Sequence, residues 1–322
     1  MLAVVQTRYG APSELQVTPV ARPVAAPGEV LVRVRAASVN PADWFIVTGR
    51  PLVLQLAMGR PAPRVPIRGS DVSGVVDSVG AGVTRFSPGD EVFGWGSGSF
   101  AEYLVTPQDN LVHLPSGIDL VAAAGIPMAG AVALQAMRDR GAVVAGQKVL
   151  INGAAGGIGS LAVQIAKSMG ATVTAVCSGG SVDLVRSLGA DRVVDYTEID
   201  FTTEGVQYDL ILDNAGTHAL RDLQRSLTRH GMLIPNNGTV GGKVFGSIGR
   251  LARANLANMF TRQRLRTFMS SVRQQDLQDL AALLASGAVV PVVDRTYPLA
   301  EARAALDYIG QGHARGKVLL TV

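Results

Sequence analysis

The sequence VLINGAAGGIG at residues 149–159 decides the fold of this chain. An apolar run with the character of a strand leads into a glycine-rich turn, and the turn opens a helical segment, residues 160–169. Backbone N–H groups at such a helix start, with the positive end of the helix dipole, hold a pyrophosphate. A second strand, residues 172–177, follows at the spacing of one βαβ unit. The pattern therefore predicts a dinucleotide site, with phosphate contacts from Ala155, Gly156, Gly157, Ile158 and Gly159.

Two glycines of this turn have distinct predicted roles. Gly156 lets the backbone approach the phosphates, and Gly159 allows the helix to pack closely on the strand. The alternative is a tight turn between strand and helix that binds nothing.

The order of strand-like and helical segments along the chain predicts an α/β protein with two kinds of sheet. Up to about residue 115, short β runs alternate with Pro/Gly turns, and residues 29–36 alternate with period two, which predicts an antiparallel, barrel-like domain. From about residue 125, apolar strands alternate with helices, which predicts a doubly wound parallel sheet. Strand-like runs return after Pro291 and flank one helix, residues 300–309.

Composition limits the classes of function. The 322 residues are 48% hydrophobic and include one cysteine, so the chain is predicted to fold without a disulfide or a four-thiolate zinc site. A net charge of +4 is weak evidence for nucleic acid. The first residues lack a secretion signal, and the apolar stretch at residues 120–137 is broken by Gly125 and Pro127. We therefore predict a cytoplasmic protein with a broken helix pair in place of a membrane span.

The end of the second strand bears on the choice of dinucleotide. An acidic side chain there would select NAD, but the sequence reads CSGGS at residues 177–181, with no carboxylate before Asp183. This leaves room for the extra phosphate of NADPH, to which Ser178 and Ser181 are predicted to donate. The cofactor prediction is NADPH.

Further stretches carry a resemblance to a known family. They are ASVNPADW at residues 37–44, GSDVSGVV at 69–76, PGDEVFG at 88–94 and GSFAEY at 98–103. With the glycine turn, they resemble the medium-chain dehydrogenase/reductase superfamily, zinc-free quinone oxidoreductase (zeta-crystallin-like) branch, over essentially the whole chain. The resemblance implies a GroES-like catalytic domain at residues 1–124, completed by residues 292–322. It also implies a Rossmann NADP-binding domain at residues 125–291, a nicotinamide cleft at the junction, and a homodimer.

The resemblance also bears on the reaction. Zinc-dependent relatives place a cysteine where Asn40 stands and a histidine where Ser70 stands, and the one cysteine of this chain is Cys177. Metal catalysis needs about three protein ligands. The resemblance therefore implies zinc-independent hydride transfer from NADPH to a small-molecule acceptor, either a quinone or an α,β-unsaturated carbonyl compound. The alternative is a non-catalytic NADPH-binding module that regulates a partner or RNA.

Asn40 is the one predicted catalytic residue. By resemblance it lies beside the nicotinamide and the acceptor, where its amide would donate to a carbonyl oxygen as negative charge develops. The alternative is a turn residue before Pro41. Related reductases often have a tyrosine shortly after the following helix, but here the run is TGRPL at residues 48–52, so no side-chain acid is assigned.

Further cofactor contacts are predicted at strand ends, because the carboxyl ends of parallel strands face the ligand. Asn214 and Asn237 follow two such strands and are candidates for hydrogen bonds to ribose or carboxamide. By resemblance, Tyr196 lies on the adenosine side, and Arg315 and Lys317 reach the phosphates. The alternative for these two asparagines and two basic residues is that they only cover the protein surface and do not contact the cofactor.

Each of three further features has two possible interpretations. Residues 52–63 form either a lid over the cleft or a helix packed on the core, and Trp44 either walls the cleft or belongs to the core. A cluster of arginines is either a solvated or subunit-facing helix surface or a site for nucleic acid or other anions. Its members are Arg250, Arg253, Arg262, Arg264, Arg266 and Arg273.

Overall fold

The computed structural model describes residues 1–50, 52, 54–59, 63–236, 263–267 and 270–322. The chain forms two compact units. The first consists of Met1–Ala131 and Ser271–Val322, and the second of Val132–Ser270.

Strands β1 to β15 run in chain order through the described residues. They are Leu2–Val5, Gln16–Pro19, Glu29–Val39, Asp71–Val79, Glu91–Trp95, Tyr103–Pro107, Leu111–His113, Lys148–Asn152, Thr172–Cys177, Arg192–Asp195, Tyr208–Asp213, Leu227–Pro235, Arg264–Leu265, Val293–Pro298 and Lys317–Thr321.

Helices α1 to α9 follow the same convention. They are Pro41–Thr48, Leu54–Met58, Leu120–Ala123, Pro127–Leu134, Gly157–Ser168, Val182–Ser187, Leu220–Arg225, Gln274–Ala285 and Ala302–Gly310. A π-helix at Gln135–Arg140 extends α4, and short 3-10 helices lie at Pro12–Glu14, Gln108–Asn110, Gly179–Ser181, Phe201–Thr203 and Leu299–Glu301.

The second unit is built on a parallel sheet. Its strand order is β10-β9-β8-β11-β12-β13, and each neighbouring pair is parallel. Numbered from β8, the order reads 3-2-1-4-5-6, which is that of the doubly wound dinucleotide-binding fold. The strand order reverses between β8 and β11, and ligands bind at such a switch point, outside the carboxyl ends of the strands. The predicted Rossmann sheet is confirmed.

The first unit is built on a mainly antiparallel sheet. Its order is β14-β15-β3-β4-β5-β7, with β6 also paired to β3, and only β14 and β15 run parallel. The long strand β3 alternates inward valines, such as Val30, Val32 and Val34, with exposed Arg33 and Arg35, which gives the sheet a buried face. This mainly antiparallel sheet confirms the fold class predicted for the GroES-like domain.

The register of the last strand positions the first unit's polar core. Strand β15 pairs antiparallel with β3, and Val318 lies opposite Val39. Lys317, one residue before Val318, is therefore brought beside Asn40, one residue after Val39, although 277 positions separate the two in sequence.

The boundaries of the units differ from the predicted domain boundaries at residues 124/125 and 291/292. Helix α8 was expected in the Rossmann domain, but it lies in the first unit, where it packs on β7. Its buried face includes Leu280, which sits against Gly130 of α4. The sequence pattern shows that one face of this helix is apolar and will be buried. It does not show against which of the two units that face packs.

Residues 120–140 form the predicted interrupted helices, with Gly125 in the break between α3 and α4. No helix within the described ranges is long and apolar enough to cross a lipid bilayer.

Candidate functional site

The glycine turn joins β8 to α5 at the carboxyl edge of the parallel sheet. Gly156 occupies the N-cap of α5 with an extended backbone (φ −76°, ψ 174°), and no side chain caps the helix. The N–H groups of the first helical turn have no partners within a helix. They therefore suit an anionic ligand at the positive end of the helix dipole.

The two glycines of the turn have the space that their predicted roles require. A Cβ on Gly159 would collide with the carbonyl oxygen of Gly153 and lie 2.7 Å from the Cα of Ala154. Only glycine therefore permits this approach of helix to turn. A Cβ on Gly156 would meet one protein atom within 4 Å, the carbonyl oxygen of Gly153 at 3.5 Å. The space above Gly156 is thus open to a ligand.

Hydrogen bonds tie together the strand ends around this turn. The amide of Asn152, the last residue of β8, donates to Asp213 Oδ1 at 2.8 Å, and the same oxygen accepts from Gly216 N at 3.0 Å. Asn214 N donates to Asn152 O at 3.1 Å, and Asn214 Oδ1 accepts from Asn236 Nδ2 at 2.8 Å. Asn214 thus lies at the predicted edge, held by its neighbours.

The site prediction for Asn237 concerns a residue outside the described ranges. The fully buried Asp213 was not predicted as part of the site. The end of strand β11 identified the next residue, Asn214, as a candidate. The sequence did not indicate that Asp213 itself accepts hydrogen bonds from Asn152 and Gly216.

The predicted adenosine side lies at the ends of β9 and β10. Ser178 precedes the 3-10 helix Gly179–Ser181, Ser181 is buried, and Tyr196 is 56% exposed. Tyr196 N donates to Cys177 O at 3.0 Å, which brings the Tyr196 backbone beside the end of β9.

Asp195 brings a carboxylate to this region that the sequence analysis missed, because it comes from the neighbouring strand. Its Oδ1 accepts from Thr197 N at 2.9 Å and from Thr197 Oγ1 at 2.7 Å. These bonds, and a weaker contribution from Gly179 N–H, hold the pKa of Asp195 below its usual range. A negative charge therefore lies beside the turn where the 2′-phosphate was predicted.

In the first unit, Asn40 is the centre of a buried polar network. Asn40 Oδ1 accepts from Lys317 Nζ at 2.6 Å, and Asn40 Nδ2 donates to Asp71 Oδ2 at 3.0 Å. Asp71 Oδ1 accepts from Met128 N at 3.0 Å, and Lys317 Nζ lies 3.7 Å from Asp71 Oδ2. The orientation of the Asn40 amide is therefore fixed by a donor on one side and an acceptor on the other.

Burial acts in opposite directions on the two charged members of this network. Burial raises the pKa of Asp71, whereas it lowers the pKa of Lys317, and the attraction between the two groups opposes both shifts. Lys317, predicted to reach the phosphates, instead has its ammonium bound to Asn40 and is 5% exposed. Arg315 is exposed, and its backbone N–H donates to Asp294 Oδ2 at 3.0 Å.

Asp43 is a second buried carboxyl group, in the first turn of α1. Its Oδ2 accepts from Asn40 N at 2.8 Å, which closes the start of the helix. Asp43 is 3% exposed, and burial raises its pKa to about 7. A carboxyl group with this pKa exchanges protons near neutrality. Asp43 can therefore hold or release a proton near neutral pH, and the sequence analysis did not identify it as a site residue.

Asp43 lies at the wall of a cavity of about 380 Å³ within the first unit. Apolar side chains supply much of the lining, together with Arg68 and the exposed Arg64. The lining residues are Asp43, Ile46, Met58, Pro63, Arg64, Val65, Ile67, Arg68, Gly69, Ser70, Trp95 and Ser97. This volume lies within the range of small-molecule sites. Asn40 is not among the lining residues, so its predicted contact with the acceptor stays a prediction.

The aromatic wall of this cavity is Trp95, whereas Trp44 packs on the core cluster that includes Ile309. Residues 54–58 of the predicted lid form α2, whose Met58 lines the cavity, while residues 51, 53 and 60–62 lie outside the described ranges.

Part of the arginine cluster falls outside the described residues, namely Arg250, Arg253 and Arg262. The helix-surface interpretation is wrong for Arg264, which begins β13 beside β12. Arg273 pairs with the buried Asp276 at 2.8 Å at the start of α8.

A larger hollow in the second unit, about 560 Å³, is lined by polar residues including Gln207 and Arg229. Gln207 directly precedes β11, so this hollow lies at an amino end of the parallel sheet, away from the switch point. Within the described part of the chain, no group of three or more His, Cys, Asp or Glu residues is arranged to hold a metal ion.

Two family models match the chain. Residues 26–116 match the model described as alcohol dehydrogenase GroES-like domain, and residues 188–320 match the one described as zinc-binding dehydrogenase.

Known proteins match over most of the chain. NAD(P)H oxidoreductase RTN4IP1, mitochondrial, of Mus musculus is 33% identical, over 92% of this chain and 82% of the relative. Quinone-oxidoreductase QR1, chloroplastic, of Triphysaria versicolor is 31% identical, over 92% of each. The solved structure of the quinone oxidoreductase from Coxiella burnetii superposes with a TM-score of 0.85 at 27% identity and covers 100% of this chain and 99% of that one.

Proposed function

Because this chain belongs to the medium-chain dehydrogenase/reductase superfamily, in its quinone oxidoreductase branch, we propose that it is an NADPH-dependent, zinc-independent reductase. The proposed reaction transfers a hydride to a quinone or an α,β-unsaturated carbonyl compound. The family supports an enzyme that uses a nicotinamide cofactor, which argues against a purely regulatory NADPH-binding module.

One observation carries the proposal: the uncapped start of α5 at the switch point of the parallel sheet. Gly159 permits the close approach of helix to turn, and the space above Gly156 is open. Such a site suits a pyrophosphate. The nicotinamide of a bound cofactor supplies the hydride, and the protein positions it and excludes water.

NADPH is the proposed form of the cofactor, on two grounds. The turn at residues 177–181 contains no carboxylate, and the hydroxyl of Ser178 is near the end of β9. Asp195 is an opposing influence, because its carboxylate would repel a 2′-phosphate at this turn. Comparison of the dissociation constants of NADPH and NADH tests this part of the proposal.

Zinc independence is supported by the residues at the positions where zinc-dependent relatives carry ligands. Asn40 has both polar atoms of its amide committed to Lys317 and Asp71, and Ser70 replaces an imidazole. Neutral amide and hydroxyl groups are poor zinc ligands compared with thiolate and imidazole. The acceptor is proposed to occupy the cavity beside Asp43, whose apolar walls suit a flat ring or an enone.

The test combines cofactor binding with turnover. NADPH binding is measured by fluorescence, and oxidation of NADPH is followed by absorbance with benzoquinone, phenanthrenequinone or methyl vinyl ketone as the acceptor. We expect tight binding and oxidation with at least one acceptor. Tight binding without oxidation by any of them would instead favour the regulatory module.

Gly156→Ala provides the matched variant for the phosphate turn. Its new methyl group has no protein neighbour closer than 3.5 Å, so the unfolding midpoint without cofactor should be unchanged. A loss of about tenfold in NADPH affinity corresponds to about 1.4 kcal/mol of lost binding energy and is the expected result. Unchanged affinity in a folded variant would contradict the phosphate assignment.

The homodimer and the cytoplasmic location stay predictions from the sequence. Sedimentation of the purified protein tests the first, and a fluorescent fusion in the native cell tests the second.

A further inference from the structure

Arg68 is a buried cation with an unsatisfied hydrogen-bond donor. It is 5% exposed, and its Nε has no hydrogen-bond partner among the described residues. Within the described ranges its guanidinium forms no salt bridge at contact distance, although the charge of Asp43 attracts it. The backbone is nevertheless held firmly, because Arg68 N donates to Val4 O at 3.1 Å and Arg68 O accepts from Phe100 N at 2.8 Å.

Burial disfavours the charged form of Arg68, and the attraction of Asp43 offsets only part of this effect. Burial lowers the pKa of Arg68, which means that the charged form has lost hydration. Buried charges in proteins are paired or bind a ligand, because burial removes their hydration. The guanidinium is at the wall of the cavity of about 380 Å³, so a ligand in that cavity can reach it.

The ligand chemistry follows from the rest of the cavity wall. Ile46, Ile67 and Trp95 offer apolar and aromatic surface, which suits a hydrophobic body. The guanidinium offers planar donors, which bind an oxygen that carries negative charge. The indole N–H of Trp95 also has no acceptor among the described residues. A phenolate or an enolate combines such an oxygen with an apolar body.

Asp43 is the other ionisable group at this wall, and its charge decides whether an anion is tolerated. The groups that face it are Asp71 of β4, Lys317 of β15 and Arg68. Burial and Asp71 favour its neutral form, whereas the Asn40 N–H and the two cations favour the carboxylate. The carboxyl group is therefore protonated below about pH 7, where it does not repel an anion and carries a transferable proton.

We propose that this cavity binds the acceptor through the oxygen that becomes negatively charged on reduction, with Arg68 as its charge partner and Asp43 as its proton donor. The inference rests on the proposed reductase function. When hydride adds to a carbon of the acceptor, the electron pair of the π system moves onto the oxygen. The O–H bond of Asp43 then breaks, and its proton forms the new O–H bond of an enol. This enol tautomerises to the saturated ketone or, where the acceptor is a quinone, loses a C–H proton to water and gains an O–H proton from water to give the hydroquinone. Asp43 is left as a carboxylate and is reprotonated from water.

Pentafluorophenolate is the probe, because it is a flat phenolate that is ionised at neutral pH. Its methyl ether, pentafluoroanisole, is the neutral control of nearly equal shape. Titration calorimetry on the protein without nicotinamide measures both affinities. We expect the phenolate to bind more tightly, and Arg68→Gln to weaken it by about 10- to 100-fold, as for a lost hydrogen bond to a charged group. Arg33→Gln removes an exposed cation on β3, outside the cavity lining, and should change the affinity by less than about threefold.

The pH dependence tests Asp43 separately. From about pH 6 to about pH 8, the phenolate affinity of the wild type should fall by about tenfold as a like charge develops on Asp43. Asp43→Asn should show a flat profile and, in turnover with NADPH and a quinone, a lower kcat with a smaller change in KM.

Equal losses in the two arginine variants, or no preference for the phenolate over its ether, would overturn the role of Arg68. A pH profile in Asp43→Asn identical to that of the wild type would overturn the role of Asp43. If phenolate binds through Arg68 but no acceptor is reduced, the reductase proposal fails while the binding site stands.

Discussion

Replacing the buried Asp43 by asparagine should remove a pH dependence of folding stability. The pKa of Asp43 is raised by burial to about 7 in the folded protein, compared with about 3.9 for an aspartate in an unfolded chain. The folded state therefore holds this proton more tightly than the unfolded state. The resulting stability is fully present below about pH 4 and is lost as the pH rises through about 7.

The size of the effect follows from the same two values. A separation of about three pKa units corresponds to about 4 kcal/mol in the free energy of unfolding. Asparagine retains an oxygen that can accept from Asn40 N, where Asp43 Oδ2 now accepts at 2.8 Å. The variant should therefore keep the start of α1 while it loses the titration.

Urea unfolding at a series of pH values measures the effect. The quantity of interest is the difference in unfolding free energy between the wild type and Asp43→Asn, because Asp71 and Lys317 titrate in both proteins. We expect this difference to fall by about 4 kcal/mol between about pH 4 and about pH 8. Asp307→Asn, at an exposed position on α9, is the control, and the fall for Asp43→Asn should be clearly the larger of the two. A flat difference for Asp43→Asn would refute the raised pKa.

Three other perturbations have definite expected results. Lys317→Met leaves the buried Asp71 without its cation and should lower the unfolding free energy by about 3–5 kcal/mol. Lys148→Met, at an exposed position, is the control and should have little effect. Equal losses in the two variants would contradict the buried network of Asn40, Asp71 and Lys317. Burial raises the pKa of Cys177 to about 11, so iodoacetamide should alkylate it at least about 100-fold more slowly than in urea-unfolded protein, and equal rates would contradict its burial. Asp195→Asn should raise the affinity for NADPH relative to NADH, and an unchanged ratio of dissociation constants would show that this carboxylate does not face the 2′-phosphate.

The dinucleotide fold was predictable because its signals are local. The turn at residues 153–159 lies within a single strand–turn–helix segment, and the roles of Gly156 and Gly159 follow from the backbone space that each leaves. Alternation of strands and helices then sets the parallel sheet, since such connections place successive strands side by side with one orientation.

The polar core of the first unit was not predictable in the same way. Asn40 and Lys317 were both identified as site residues, but their contact arises from the pairing of β15 with β3, which no local pattern specifies. Asp43 and Arg68 look like ordinary surface charges in the sequence, and only burial distinguishes them. Asp195 escaped attention because it reaches the turn after β9 from a different strand.

Isotope transfer is the most direct test of the proposed reductase. NADPH is prepared with deuterium at the transferable position of its nicotinamide, in both diastereomeric forms. Each form is used to reduce an enone, and the saturated ketone is examined by mass spectrometry and NMR. Direct hydride transfer predicts that one diastereomer delivers deuterium to the β-carbon of the product, while the proton on the α-carbon comes from solvent. Reduced product without deuterium from either diastereomer would contradict direct hydride transfer.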